Sequence, residues 1–182
     1  WDHRFGGSET DSCRAVVATT DGGYLLVGDS NSSSGFDKSE ASRGSDDYWA
    51  VKIGANGSKV WDKRFGGNCK DLCQSVISTA DGGYLLAGTS HSGAEGDRSE
   101  ASHGGYDFWT VKINSVGNKV WDKRFGGNNW DLCYEAIPTA DAGFLLSGLS
   151  GSPAGGDKSE GNRGSNDFWT VKIDSAGNKV WD

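Results

Sequence analysis

The chain has 182 residues, a formal net charge of −7 and only 35% hydrophobic residues, yet it carries 8 Trp, 7 Phe and 5 Tyr. That length suits one domain with a real core, and aromatic residues recurring in phase exclude a disordered chain. An acidic balance without any Lys/Arg run excludes a nucleic-acid footprint, and apolar runs of only a few residues exclude membrane insertion.

Trp1 begins a WD pair that returns at Trp61, Trp121 and Trp181, and Asp21, Asp81 and Asp141 keep the same interval, as do Gly44, Gly104 and Gly164. The period is 60 residues without an insertion. The chain therefore reads as a single repeat domain, 1–182, of units 1–60, 61–120 and 121–180, with 181–182 starting a further outer strand. A start at Trp1 and the absence of Met read as mature or excised material.

The stretch "WDHRF" at 1–5 reads as the second half of an outer strand, and "NKVWD" at 178–182 as the first half. In unit two, "GGNCKDL" (66–72) connects an outer strand to the next inner one, and "SVISTA" (75–80) runs through "DGG" (81–83) into "YLLAGTS" (84–90). Two apolar runs split by Asp-Gly predict a hairpin. After a long polar loop (91–106) come "DFWTVKI" (107–113), "NSVGN" (114–118) and "KVWDKRF" (119–125), a second hairpin. Each unit thus offers four short antiparallel strands. "YLLAG" is apolar on successive residues, as expected of a strand covered on both faces. "KVWDKRF" alternates charge with Trp and Phe, as expected of an outermost strand whose charges discourage edge pairing.

The pattern W-x-K-x-F-G-G, D-G-G-Y-L-L-x-G-x-S-x-S, G-x-x-D-F-W-x-V-K-I and x-x-G-N-K-V-W resembles β-propeller repeats of about sixty residues, over the whole chain. Such repeats are common in secreted and cell-surface bacterial proteins, so the resemblance implies blades and a secreted or cell-surface setting. It implies no particular chemistry. Asp29, Gly54 and Ala142 depart from the pattern, Ala142 standing in the turn where the sister units have "DGG". The expected fold is all-β and β-propeller-like, with three four-stranded antiparallel blades. Three are fewer than the roughly 4 to 8 blades of a ring. Apolar blade faces must be covered, which favours a homodimer completing a six-bladed ring. Membership of a longer protein and a closed three-unit ring stay open.

Cys13, Cys73 and Cys133 share one repeat position and Cys69 stands alone, so they read as small buried thiols, with a Cys69–Cys73 bridge or an intermolecular bond as alternatives. No CxxC pair with His partners is present to hold zinc.

With strands in order, both tight turns fall at one end and both longer connections at the other, and function usually sits on such loops. The candidate ligand-binding residues there are Asn68, Asp97, Arg98, Glu100, His103 and Asp107 in unit two. Their counterparts are Asp37, Lys38, Glu40, Arg43 and Asp47, and Asp157, Lys158, Glu160, Arg163 and Asp167, with Asn128 and Trp130 alongside. Carboxylates beside Arg can hold vicinal hydroxyls while an aromatic ring covers a sugar's apolar face. The same Asp and Ser residues also cap loop backbone, the Asp-Lys/Arg-Ser-Glu box also pairs with itself, and Trp49, Trp109 and Trp169 also pack between blades. Trp130 stands where the sister units have Lys70 and Thr10, and is expected to be exposed. Asp37, Glu40 and Asp47 allow a calcium ion, although no EF-hand spacing occurs; no other cofactor is expected.

No repeated His, nucleophile elbow or HExxH helix appears. The expectation is a non-enzymatic, multivalent, lectin-like protein whose partners are glycans, bound once per unit. A scaffold or protein-interaction propeller of a larger secreted surface protein is the alternative. A hydrolase using Asp97 and Glu100 is a third reading, if they stand within about 5–10 Å.

Overall fold

The computed structural model describes all 182 residues, as twelve strands without a helix. The first sheet comprises β1 (Asp11–Ala18), β2 (Tyr24–Ser30), β3 (Asp47–Ile53) and β4 (Lys59–Phe65). The second holds β5 (Asp71–Ser78), β6 (Tyr84–Ser90), β7 (Asp107–Ile113) and β8 (Lys119–Phe125). The third holds β9 (Asp131–Pro138), β10 (Phe144–Ser150), β11 (Asp167–Ile173) and β12 (Lys179–Trp181). Each is a four-stranded antiparallel meander in chain order. With no helix, none is long and apolar enough to cross a membrane.

The Asp-Gly hairpin is built by side chains as well as backbone. Asp81 accepts from the Thr79 hydroxyl at 2.5 Å, from Gly83 N–H at 3.1 Å and from Lys112 Nζ at 3.0 Å. The first glycine of the turn, Gly82, takes φ 80°. A Cβ on the second, Gly83, would stand 2.3 Å from the Ile113 carbonyl oxygen. Ala142 replaces the first glycine in unit three and keeps the turn at φ 63°, a conformation costing an L-residue about 1–2 kcal/mol. The invariant step of the "LLxG" strand has a different cause. At Gly88 a Cβ would lie 2.0 Å from the Leu72 carbonyl oxygen, beside the irregularity that interrupts β5–β6 pairing between Cys73 and Ser75.

All seven residues of β6 and of β7 are buried, so both central strands, not only "YLLAG", are covered on both faces. They are covered by neighbouring sheets, which pack in series. β5 lies against β1, β2 and β3, and β9 against β5, β6 and β7. Tyr48 of sheet one meets Trp109 of sheet two with ring centroids 4.7 Å apart, and its hydroxyl donates to the Trp109 carbonyl at 2.9 Å. Phe108 of sheet two meets Trp169 of sheet three at 4.8 Å. Such an aromatic pair adds about 0.5–1.5 kcal/mol beyond the area it buries.

Three expectations need correction. Asp71 and Leu72 belong to β5 rather than to the connection before it. The outer strand is not simply a charged edge: Asp62 and Arg64 are buried, and Asp62 accepts from Trp49 Nε1 at 3.1 Å and from Ser39 N–H at 2.8 Å. Residues 1–5 form no strand; Trp1 and His3 lie against Gly57, as Trp61 and Lys63 lie against Gly117. All four cysteines are free thiols; Cys73 and Cys133 are buried as expected, whereas Cys13, expected to be buried with them, is exposed because no preceding sheet packs on sheet one.

Candidate functional site

The long β2–β3, β6–β7 and β10–β11 loops gather with the sheet-to-sheet connections at one end of the sheets. Backbone bonds tie them together: Asp97 N–H donates to Gly66 O at 3.1 Å, and His91 N–H to Lys70 O at 3.0 Å. The tight turns occupy the other end.

Most of the charged residues expected to bind ligand hold this end together. Asp47, Asp107 and Asp167 cap the loop, accepting from the N–H of Arg43 at 2.6 Å, His103 at 2.7 Å and Arg163 at 2.6 Å. Asp47 and Asp107 are fully buried, and desolvation raises their pKa values to about 6 and about 7 against the pull of those N–H groups and of Arg64 and Arg124. Asp97 latches one unit to the next, because its Oδ2 accepts from Arg43 at 2.6 Å, Arg64 at 3.0 Å and Gly66 N–H at 3.2 Å. Asp157 does the same with Arg124 at 2.7 Å and Gly126 N–H at 3.1 Å. His103 Nδ1 lies 2.8 Å from Arg124 Nη1, completing that latch.

Lys38, Arg98 and Lys158 are buried, contrary to a ligand-facing role. Lys38 Nζ donates to Ser32 O at 3.0 Å and to the Ser42 hydroxyl at 2.7 Å, and Lys158 Nζ to Glu160 O and Asn162 Oδ1, both at 2.9 Å. Arg98 donates to Ser92 O and to the Ser102 hydroxyl, with its guanidinium 5.5 Å from the Trp109 ring centre. Glu40 pairs with Arg64 at 3.0 Å, and Glu100 stands 3.8 Å from Arg124. Trp49, Trp109 and Trp169 each donate from Nε1 at 3.1 Å to Asp62, Asp122 and Asp182. The carboxyls weighed for hydrolysis, Asp97 and Glu100, face different arginines. Those weighed for calcium, Asp37, Glu40 and Asp47, face Gly6 N–H, Arg64 and Arg43 N–H. No group of three or more His, Cys, Asp or Glu side chains is arranged to hold a metal ion.

What remains accessible is different in kind. Trp130 is 60% exposed at the junction of sheets two and three, edge-on to Tyr106 at 6.4 Å, and Tyr106 in turn meets His91 at 5.1 Å. The indole lies over Gly105, where a Cβ would stand 2.1 Å from Trp130 Cδ1. Asn128 is exposed alongside, with its backbone against Gly104. At the equivalent junction of sheets one and two, Lys70 pairs with Asp46 at 3.3 Å instead. The aromatic platform therefore occurs once in the chain. Tyr106, His91 and Gly105 escaped the sequence reading, although the comparison of sister positions that singled out Trp130 applies equally to Tyr106 against Asp46 and Asn166, and to Gly105 against Ser45 and Ser165.

No family model matches this chain, and none of the curated proteins matches it either.

Proposed function

We propose that the protein is a non-enzymatic, lectin-like carbohydrate-binding module of a secreted or cell-surface setting, with its three sheets disposed as blades of a β-propeller. The observation that carries this reading is the exposed indole of Trp130 beside Tyr106 and His91 at the loop-bearing end. A pyranose ring lays its C–H face on such an indole, while polar groups at the margin take its hydroxyls. The Trp130 Nε1–H, the Tyr106 hydroxyl, the His91 imidazole and the Asn128 amide are the margin here. The ion-paired loops around them supply rigidity, which limits the ordering cost of binding. In this reading the sugar site is one per chain instead of one per unit, and multivalency comes from copies of the chain.

The test is a glycan array followed by calorimetry with the best ligand, on the parent chain and on Trp130→Ala. Binding lost in the variant, with the melting curve unchanged, supports the proposal. A blank array, or a ligand bound equally by both proteins, ends it. The alternative, an interaction scaffold, is favoured by a separate observation: the apolar faces of the two end sheets.

A further inference from the structure

The two sheet-to-sheet junctions inside the chain are built from one set of residues, and each end of the series exposes one half of that set. On the outgoing side, Tyr48 and Phe108 are 0% exposed because the next sheet covers them, whereas Phe168 at the same repeat position is 100% exposed. On the incoming side, Trp109 and Trp169 receive those rings, whereas Trp49 receives none. Beside Trp49 lies a cavity of about 370 Å³ whose lining includes Phe5, Cys13, Leu26, Trp49 and Val51, with the charged Arg4 among its polar members. In the first junction the counterparts of Phe5 and Trp49 flank the inserted ring: Tyr48 pairs with Phe65 across β3–β4 and packs on Trp109.

Charge is divided between the ends in the same way. Within the chain Arg64 pairs with Glu40 at 3.0 Å, and Arg43 with Asp97 at 2.6 Å. The counterparts left over are Arg4 and Asp37 at the incoming end, and Glu160 and Arg163 at the outgoing end. Arg4, Glu160 and Arg163 are exposed, and no side chain of this chain pairs with any of the four. Each unpaired group has its opposite on the far end.

We infer that the outgoing face of sheet three docks on the incoming face of sheet one of a second copy of this chain, head to tail. Phe168 enters the Trp49 cavity, Arg163 meets Asp37 and Arg4 meets Glu160, so the intermolecular junction repeats the two intramolecular ones. The contact is heterologous, with different surfaces on the two partners, and mass tells whether it closes on itself or extends. Cys13 takes the covered position that Cys73 and Cys133 occupy inside the chain.

The experiment measures native mass and thiol accessibility, without sugar, and so stands apart from the glycan reading. The parent chain is expected at a multiple of its monomer mass, with Cys13 slow toward a thiol reagent. Phe168→Asp, at a fully exposed position, and Cys13→Arg, which fills the cavity with charge, are each expected to be folded monomers. Phe168→Asp exposes Cys13 to the reagent. An equal mixture of the two variants is expected to recover a dimer, since one keeps an intact head and the other an intact tail. Arg163→Glu combined with Asp37→Arg is expected to restore the assembly that either change weakens. A monomeric parent chain would overturn the inference and leave the faces to further repeats of a longer protein. An assembly untouched by Phe168→Asp, or variants that fail to complement on mixing, would overturn it equally.

Discussion

Replacing Asp107 with Asn separates the charge of this carboxyl from its hydrogen bonding. Burial raises its pKa from the ordinary 3.8 to about 7, opposed by the His103 N–H and by Arg124. Unfolding returns the group to its ordinary value, so between those limits the folded protein holds a proton that the unfolded chain has released. The stability this group contributes is complete below about pH 4 and is lost as pH rises through about 7. A rise of roughly three units at about 1.4 kcal/mol each amounts to about 4 kcal/mol. Asparagine keeps an oxygen for the His103 N–H and has no charge to desolvate. Asp107→Asn is therefore expected to match the parent near pH 4 and to exceed it by about 3–4 kcal/mol near pH 8. Urea unfolding followed by tryptophan fluorescence at several pH values reads the difference. A gap that stays constant with pH, or that widens on acidification, would show that desolvation of this carboxylate does not govern the loop.

Other changes probe other parts of the frame. Ala142→Gly relieves a left-handed alanine and should raise stability by about 1 kcal/mol, seen as a higher melting temperature. Asp122→Ala leaves Trp109 Nε1, Ser99 N–H and Lys119 without their shared acceptor, and is expected to cost roughly 2–4 kcal/mol in chemical denaturation. Asp182→Ala, whose site is less covered, should cost less. Cys73 and Cys133 should resist thiol reagents in the native state while Cys69 reacts, because burial raises both thiols, Cys133 to about 12. Rapid labelling of all four in the folded protein would contradict the packing of β5 and β9.

The strands were legible because their signals are local. Asp-Gly turns, runs such as "YLLAG" and the 60-residue period each lie within one unit, and the antiparallel meander follows from them. The loop residues were harder to read, because what decides their role is remote in sequence. Asp97 is held by arginines 33 and 54 residues earlier, and nothing in "GDRSEASHGG" distinguishes an internally latched carboxylate from one awaiting a ligand. Burial of Lys38 and Arg98 had no sequence signal either, since a basic residue in a glycine- and serine-rich loop ordinarily faces water. Trp130 was visible by subtraction, as a residue its sister units do without. The same subtraction applies to Tyr106 against Asp46 and Asn166, but that Tyr106, His91 and Trp130 meet at one rim needed the geometry, which brings three separate stretches of chain together.

Packing in series makes the middle sheet the one with neighbours on both faces, and stability in such an array is a sum of unit and nearest-neighbour terms. An isolated chain should therefore fray from its outer sheets inward, with amide protons of β6 and β7 exchanging last and those of β11 and β12 first. A lesion in sheet two uncouples both neighbours, whereas the same lesion in an end sheet is confined. Joining copies end to end would erase that gradient, so the exchange pattern along the chain records whether its outer sheets are terminal or interior.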